Sequence, residues 1–218
     1  MMFSHLKVLA LAMLCGVALC GCYSPAHRLE VSAVKPITVG TARVEVEKRL
    51  GAPREMVRGA NGNVVVRYLF HEFHRSEDAS RNERFHRPGE LLYRTLSLLY
   101  GPSGLVEKKL YDESVSQFHR EWNGWAELGR PLTTETVRVA KGSDTTKSLV
   151  ERFGEPTIRT LDVNGRVVLS WFYFRGRLDR LGQPEAKLLT VTLDNDVAQA
   201  FSLEQADPRF WPYLRFFQ

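Results

Sequence analysis

The chain of 218 residues is 44% hydrophobic and 25% charged, with a formal net charge of +5 and a mean hydropathy of −0.25. Those proportions exclude a disordered tail protein and a collagen-like chain, and no apolar run reaches the roughly 18 residues that a spanning helix needs. Length alone fits one or two domains with cores of their own.

The first segment reads as an export signal. Lys7 is followed by an apolar run from Val8 to about Leu19, of the length of a signal h-region. It ends in Leu19-Cys20-Gly21-Cys22, and all three cysteines of the chain, Cys15, Cys20 and Cys22, lie in this segment or at its end. Removal of residues 1–21 takes away one lysine and no acid, leaving +4. The remaining charge is mixed along the chain, with no polybasic block and no sign of a nucleic-acid partner.

Leu19-Cys20-Gly21-Cys22 resembles the bacterial lipobox. The resemblance implies cleavage after Gly21 and lipidation of Cys22, which leaves no thiol downstream for a disulfide, a zinc site or a nucleophile. Several acyl chains hold a protein at a membrane far more firmly than one. Tyr23 stands where retained inner-membrane lipoproteins carry Asp, so the resemblance implies sorting to the outer membrane, with the protein facing the periplasm.

The main internal feature is a repeat. Set at an offset of 103, residues 51–70 and 154–173 are identical at six of twenty positions: Gly51/Gly154, Pro53/Pro156, Asn61/Asn164, Gly62/Gly165, Val64/Val167 and Val65/Val168. Chance gives roughly one identity. Tyr68/Trp171, Leu69/Phe172 and Phe70/Tyr173 add conservative pairs.

In each copy, Thr41–Leu50 or Ser143–Phe153 reads as a short amphipathic helix stopped by glycine and then proline. A strand follows, then a hairpin turn at Asn61-Gly62 or Asn164-Gly165, expected as type I′ with positive φ at both central residues. The second strand is Val64–Phe70 or Val167–Phe174. Third and fourth strands are expected at Leu92–Tyr100 and Leu105–Leu110, and at Lys187–Leu193 and Val197–Leu203. The expected fold class is therefore α+β: two tandem units, each a short helical segment packed on a three- to four-stranded antiparallel sheet, behind a lipoprotein signal peptide. The corresponding divisions are a signal peptide (1–21), an anchor linker (22–35), unit one (36–112), a connector (113–135), unit two (136–205) and an aromatic tail (206–218).

A helix ending in Leu/Phe-Gly-x-Pro, a turn and an aromatic hairpin, behind a lipobox, resembles the SmpA/OmlA (BamE-like) family of small outer-membrane lipoproteins. A tandem pair of such units resembles the β-lactamase inhibitor protein fold. The first resemblance implies a role in outer-membrane assembly; the second implies a concave, aromatic protein-binding surface.

Two segments stand outside the repeat. His71 to Glu90 is crowded with His, Arg, Glu and Asp, but His71, His74 and His86 match no metal-ligand spacing, so a solvated loop is expected and no metal. In the connector, Phe118, Trp122, Trp125 and Leu128 would form one stripe if helical, suited to packing between the units. The candidate partner-binding residues are Tyr68, Phe70, Trp171 and Tyr173 on the paired strands, Trp122 and Trp125 in the connector, and Trp211 in the tail. The strand aromatics either form a binding surface or pack the copies together. No G-x-S-x-G elbow, phosphate loop, H-E-x-x-H or dinucleotide fingerprint occurs, so neither catalysis nor a cofactor is expected. The resulting expectation is an outer-membrane-anchored, non-catalytic binding accessory or scaffold for envelope proteins, among them the outer-membrane assembly machinery. The alternative is a lipid-anchored inhibitor of a periplasmic enzyme.

Overall fold

The computed structural model of the protein describes residues 27–75, 89–120, 125–177 and 185–206. Strand accounts for 52% of these and helix for 13%, in a curled sheet of half-barrel form. The expected pair of α+β units is thus overturned in favour of a mostly antiparallel β structure.

The elements in chain order are α1 (Val31–Val34), α2 (Arg43–Leu50), β1 (Glu55–Arg58), β2 (Val64–Arg75), β3 (Gly89–Tyr100), β4 (Val106–Arg120), β5 (Trp125–Leu128), α3 (Thr146–Phe153), β6 (Ile158–Leu161), β7 (Val167–Arg177), β8 (Glu185–Asp194) and β9 (Val197–Gln205). Strands β1-β2-β3-β4-β5-β7-β8-β9 are neighbours in that order, and β6 pairs with β7 off this path.

Two readings from the sequence account for the change of class. The strands run further than expected: β2 continues through His71 and His74, and β4 continues past Leu110 to Arg120. The described residues of the connector stripe, Phe118, Trp125 and Leu128, are strand and not helix. Phe118 pairs with Leu128 across β4 and β5, and Leu128 pairs with Phe174 across β5 and β7, so β5 joins both copies into one sheet. Period-two alternation buries Ala126 and Leu128 and turns Trp125 outward.

The duplication is visible in the register. Glu55 faces Arg67 and Arg58 faces Val64 across β1 and β2, while Ile158 faces Ser170 and Leu161 faces Val167 across β6 and β7. Helices α2 and α3 begin and end at matching positions. Each closes on a glycine whose N–H donates to the carbonyl four residues back, Gly51 to Glu47 and Gly154 to Val150. The aromatic 17 residues further on donates to that glycine's carbonyl: Tyr68 Oη to Gly51 at 3.2 Å, Trp171 Nε1 to Gly154 at 2.8 Å. The copies differ at the helix start, where Thr145 and Ser148 form a capping box and Ala42 has no side-chain cap.

The hairpin turns fall where expected but are of another type. Only Gly62 and Gly165 have positive φ, and the bonds Gly62 N–H to Gly59 O and Gly59 N–H to Asn63 O describe a type I turn followed by a bulge. The type I′ geometry occurs instead at Asn195-Asp196, both with positive φ, between β8 and β9.

Both faces of the sheet are covered. The outer face of copy one packs Val66, Tyr68, Leu96, Leu98 and Tyr100 against α2 residues Val46 and Leu50 and against Leu29, Val34 and Ile37. Copy two packs Trp171, Tyr173, Leu189 and Val191 against Leu149 and Phe153. On the inner face Leu91, Tyr93, Phe118, Leu128, Phe172 and Phe174 form a central core between the copies.

Gly129, just after β5, lies against that core with φ +76°, and a Cβ there would sit 2.3 Å from the Phe172 carbonyl oxygen. A residue other than glycine must both accept the left-handed conformation and push β7 away. Gly142 has φ +81° but open space around it. Gly129→Ala is therefore expected to cost about 3 kcal/mol and Gly142→Ala about 1 kcal/mol, as read from urea unfolding of the two variants.

Candidate functional site: an open sheet edge beside a concave cavity

Strand β6 has one edge paired with β7. The bond from Asp162 N–H to Arg166 O fixes the alternation, so Thr157, Arg159 and Leu161 turn their backbone groups to the other edge. That edge meets no strand. Its carbonyls are met by side chains of copy one: Ser114 Oγ donates to Thr157 O, Thr95 Oγ1 to Arg159 O at 3.1 Å, and Arg67 Nη2 to Leu161 O at 2.8 Å. In the following turn Asn63 Nδ2 donates to Val163 O at 3.3 Å and Lys108 Nζ to Gly165 O at 2.6 Å. Five alternate carbonyls of the second copy are thus capped by donors of the first.

Ionic contacts reinforce the seam. Arg159 bonds Asp112 Oδ1 at 2.9 Å and Glu155 Oε2 at 2.5 Å. Burial raises the Asp112 carboxyl above its ordinary value, against the opposing pull of Arg159, and its Oδ2 is buried with no donor. A raised folded-state value means that Asp112 favours the fold below the ordinary carboxylate range and loses that contribution as pH rises through its folded value. Without Arg159 the value rises further. Arg159→Ala is accordingly expected to cost about 2 kcal/mol at neutral pH, discounted for partial exposure of the pair. The penalty shrinks as pH is lowered and Asp112 takes up its proton, which denaturant midpoints across the acid range measure.

The same edge in copy one belongs to β1, and there it is open. All four residues from Glu55 to Arg58 are exposed, with Met56 at 39% and Val57 at 36%. Met56 and Arg58 occupy the positions of Arg159 and Leu161, so their N–H and C=O groups turn away from β2. Among the described residues no side chain caps them. Behind this edge lies a concave cavity of about 390 Å³, walled by Arg54, Glu55, Arg67, Tyr68, Leu69 and Thr95 of copy one, and by Ile158, Thr160, Val168, Ser170, Leu188 and Thr190 of copy two. Arg67 crosses its wall, donating to Glu55 Oε2 at 2.8 Å as well as to Leu161. The site therefore combines unpartnered strand hydrogen-bonding groups, two arginines, a carboxylate and a row of hydroxyls. That chemistry suits an extended peptide, which takes backbone bonds along the edge and places a side chain into the cavity.

Among the described aromatic residues singled out from the sequence, Tyr68 adjoins this cavity and the others lie away from it. Tyr68, Trp171 and Tyr173 are core residues, exposed by 5%, 4% and 2%, and are corrected from partner-binding to packing. Each faces a helix or the loops beside it, because strand alternation directs them to the covered outer face. Burial raises the Tyr68 hydroxyl to about 12. Phe70 is half-buried under the Arg94 guanidinium at 5.8 Å. Trp125 is 39% exposed, with Arg175 over its ring at 5.9 Å. Trp122 and Trp211 lie outside the described residues, as does His86. Of the loop expected at 71–90, the two ends are strand. His71 is half-buried in β2, its pKa pushed down to about 4 by burial and by Arg54. Among the described residues no group of His, Cys, Asp and Glu is placed to hold a metal.

The residues that build the seam and the open edge, Arg67, Thr95, Asp112, Ser114 and Arg159, were not singled out from the sequence. Their one signal is hydroxyl and charged residues at inward positions of strands that otherwise bury apolar side chains. No family model, no curated protein and no solved structure matches the chain, which leaves one copy as the reference for the other.

Proposed function

We propose that the protein is an outer-membrane-anchored lipoprotein that faces the periplasm and acts as a non-catalytic binding accessory in envelope assembly or integrity. The anchor rests on the order of Lys7, the Val8–Leu19 run and Leu19-Cys20-Gly21-Cys22. The resemblance to small outer-membrane lipoproteins supports the same compartment.

The binding role is carried by one observation: an edge that copy two closes with donors from copy one is left open in copy one. A strand edge of this kind recruits an extended segment of another protein, with Met56 and Val57 supplying apolar contact and Arg54 and Arg58 flanking charge. An inhibitor built on an aromatic groove gains no support, because Tyr68, Trp171 and Tyr173 are spent on the core.

Photo-crosslinking from position 57 in intact cells tests this reading. The expected product is an adduct with an envelope protein that disappears in Met56→Pro and in Cys22→Ala. Proline at position 56 removes an outward N–H and no ladder bond, so the fold survives and only edge pairing is lost. An adduct that persists in Met56→Pro rules out edge pairing, and an unacylated Cys22 peptide in mass spectrometry rules out the anchor.

A further inference from the structure

The two copies act as controls for each other, since the same backbone is decorated differently in each. At the start of α2, Gly40 N–H donates to Val106 O at 2.8 Å, and Ala42 bridges to Leu105. At the start of α3, Gly142 N–H donates to Ala198 O at 2.8 Å, and Thr145 bridges to Val197. Val39 and Val44 flank this pairing in copy one. Their counterparts in copy two, at the matching places beside Gly142 and in the first turn of α3, are Lys141 and Lys147.

Solvent exposure at these positions is high. Val39 is 68% exposed, Val44 71% and Leu105 41%, while the Lys147 side chain is 86% exposed. Copy two shows that the backbone accepts lysine at both valine positions. The valines are therefore not required by the fold, and a water-facing corner gains nothing from three exposed aliphatic side chains.

The location of the corner supplies a reason. Four residues separate Cys22 from His27, the first described residue, so five backbone steps span at most about 18 Å. From there the chain is fixed along β4: Tyr111 Oη donates to Leu29 O at 2.9 Å, and Lys109 Nζ donates to Val34 O at 2.7 Å and Ile37 O at 2.8 Å. The path from Leu29 to Gly40 follows β4 from Tyr111 back to Val106, roughly 15–20 Å at strand rise. Val31, 56% exposed, lies on this path between the anchor and the corner.

We infer that Val31, Val39, Val44 and Leu105 form a membrane-contacting side of copy one, set into the headgroup and acyl boundary of the bilayer to which the lipidated chain is tethered. The inference rests on lipidation of Cys22. It adds that the domain lies against the membrane on this side, and does not hang free from a tether, which leaves copy two and its lysines toward the aqueous space. Tethering makes weak contact effective, because the anchor supplies a high local concentration of membrane and each small apolar group adds to it.

The test uses the processed, acylated protein reconstituted in phosphatidylcholine vesicles that carry brominated acyl chains. Single cysteines are introduced as Val44→Cys and Lys147→Cys, each bearing an environment-sensitive fluorophore; Cys15 and Cys20 leave with the signal segment and the Cys22 thiol is consumed by lipidation. The expected result is a blue-shifted emission from position 44 that brominated lipid quenches, with unshifted and unquenched emission from position 147. Equal, unquenched emission from both positions in protein that is acylated and floats with the vesicles overturns the contact and leaves the anchor standing. Protein that is unacylated and fails to float overturns the anchor, and the contact with it. Circular dichroism of both variants confirms that the fold is kept, as expected at positions so exposed. The double variant Val39→Lys, Val44→Lys, labelled at Val31→Cys, adds an independent reading: its emission is expected to lose the lipid quenching seen with the two valines in place.

Discussion

The curl of the sheet depends on how β6 disposes of its second edge. A short strand paired on one side has backbone carbonyls that must find donors once water is excluded, and a buried one left unmet costs about 1–3 kcal/mol. Here Ser114, Thr95, Arg67, Asn63 and Lys108 reach across from copy one to Thr157, Arg159, Leu161, Val163 and Gly165. Because the donors sit on β2, β3, β4 and the turn before β2, β6 lies over the inner face of copy one. β7, hydrogen-bonded to β6 at one end and to β5 at the other, is drawn round with it. A flat sheet of these strands would leave the same carbonyls to water.

That arrangement explains how a duplicated unit forms one body without two identical interfaces. The register of β1 on β2 repeats in β6 on β7, and the tyrosine or tryptophan bond to the helix-ending glycine repeats as well. Local structure is thus common property of the two copies. What differs is the environment of equivalent edges: side chains of copy one cap β6, and among the described residues none caps β1. The seam is directional, front of copy two on back of copy one, so it engages only one of the two equivalent edges.

Much of the local structure was legible in the sequence, and the global arrangement was not. The repeat, the helix ends at Gly51 and Gly154 and the positions of both Asn-Gly turns follow from short-range chemistry. The extent of β4 does not: Lys108 and Lys109 fall in the strand expected at Leu105–Leu110, but Asp112 and Glu113 lie beyond it. They are strand residues because tertiary partners use their polarity: Lys108 caps Gly165, Lys109 holds the Val34 and Ile37 carbonyls, and Asp112 pairs with Arg159. β5 was hidden for a different reason. Phe118, Trp125 and Leu128 fit a helical stripe as well as they fit strand alternation, and only the pairing of Leu128 with both Phe118 and Phe174 decides between them. The burial of Tyr68, Trp171 and Tyr173 was not legible because aromatic residues are equally at home in a core and in an interface, and alternation alone does not say which face is covered.

An open edge is a hazard as well as an opportunity, and the two ends of this sheet handle it differently. At β9 the first residues are covered, since Ala198 N–H donates to Asp144 O and its carbonyl accepts from Gly142 N–H, and a register shift beside Leu193 distorts the strand there. Beyond them Glu204 and Gln205 are exposed. Among the described residues β1 has no such cover, and is protected instead by brevity: four residues, with arginine at 54 and 58 on either side of Met56 and Val57. Four residues offer too few backbone bonds for indiscriminate pairing to be strong. Selective pairing then requires something beside the edge, and the cavity walled by Arg54, Glu55, Arg67 and Thr95 lies directly behind it. On the proposed reading, backbone bonding and side-chain reading are thereby brought together at one place, which is what would distinguish a recognition edge from an unprotected one.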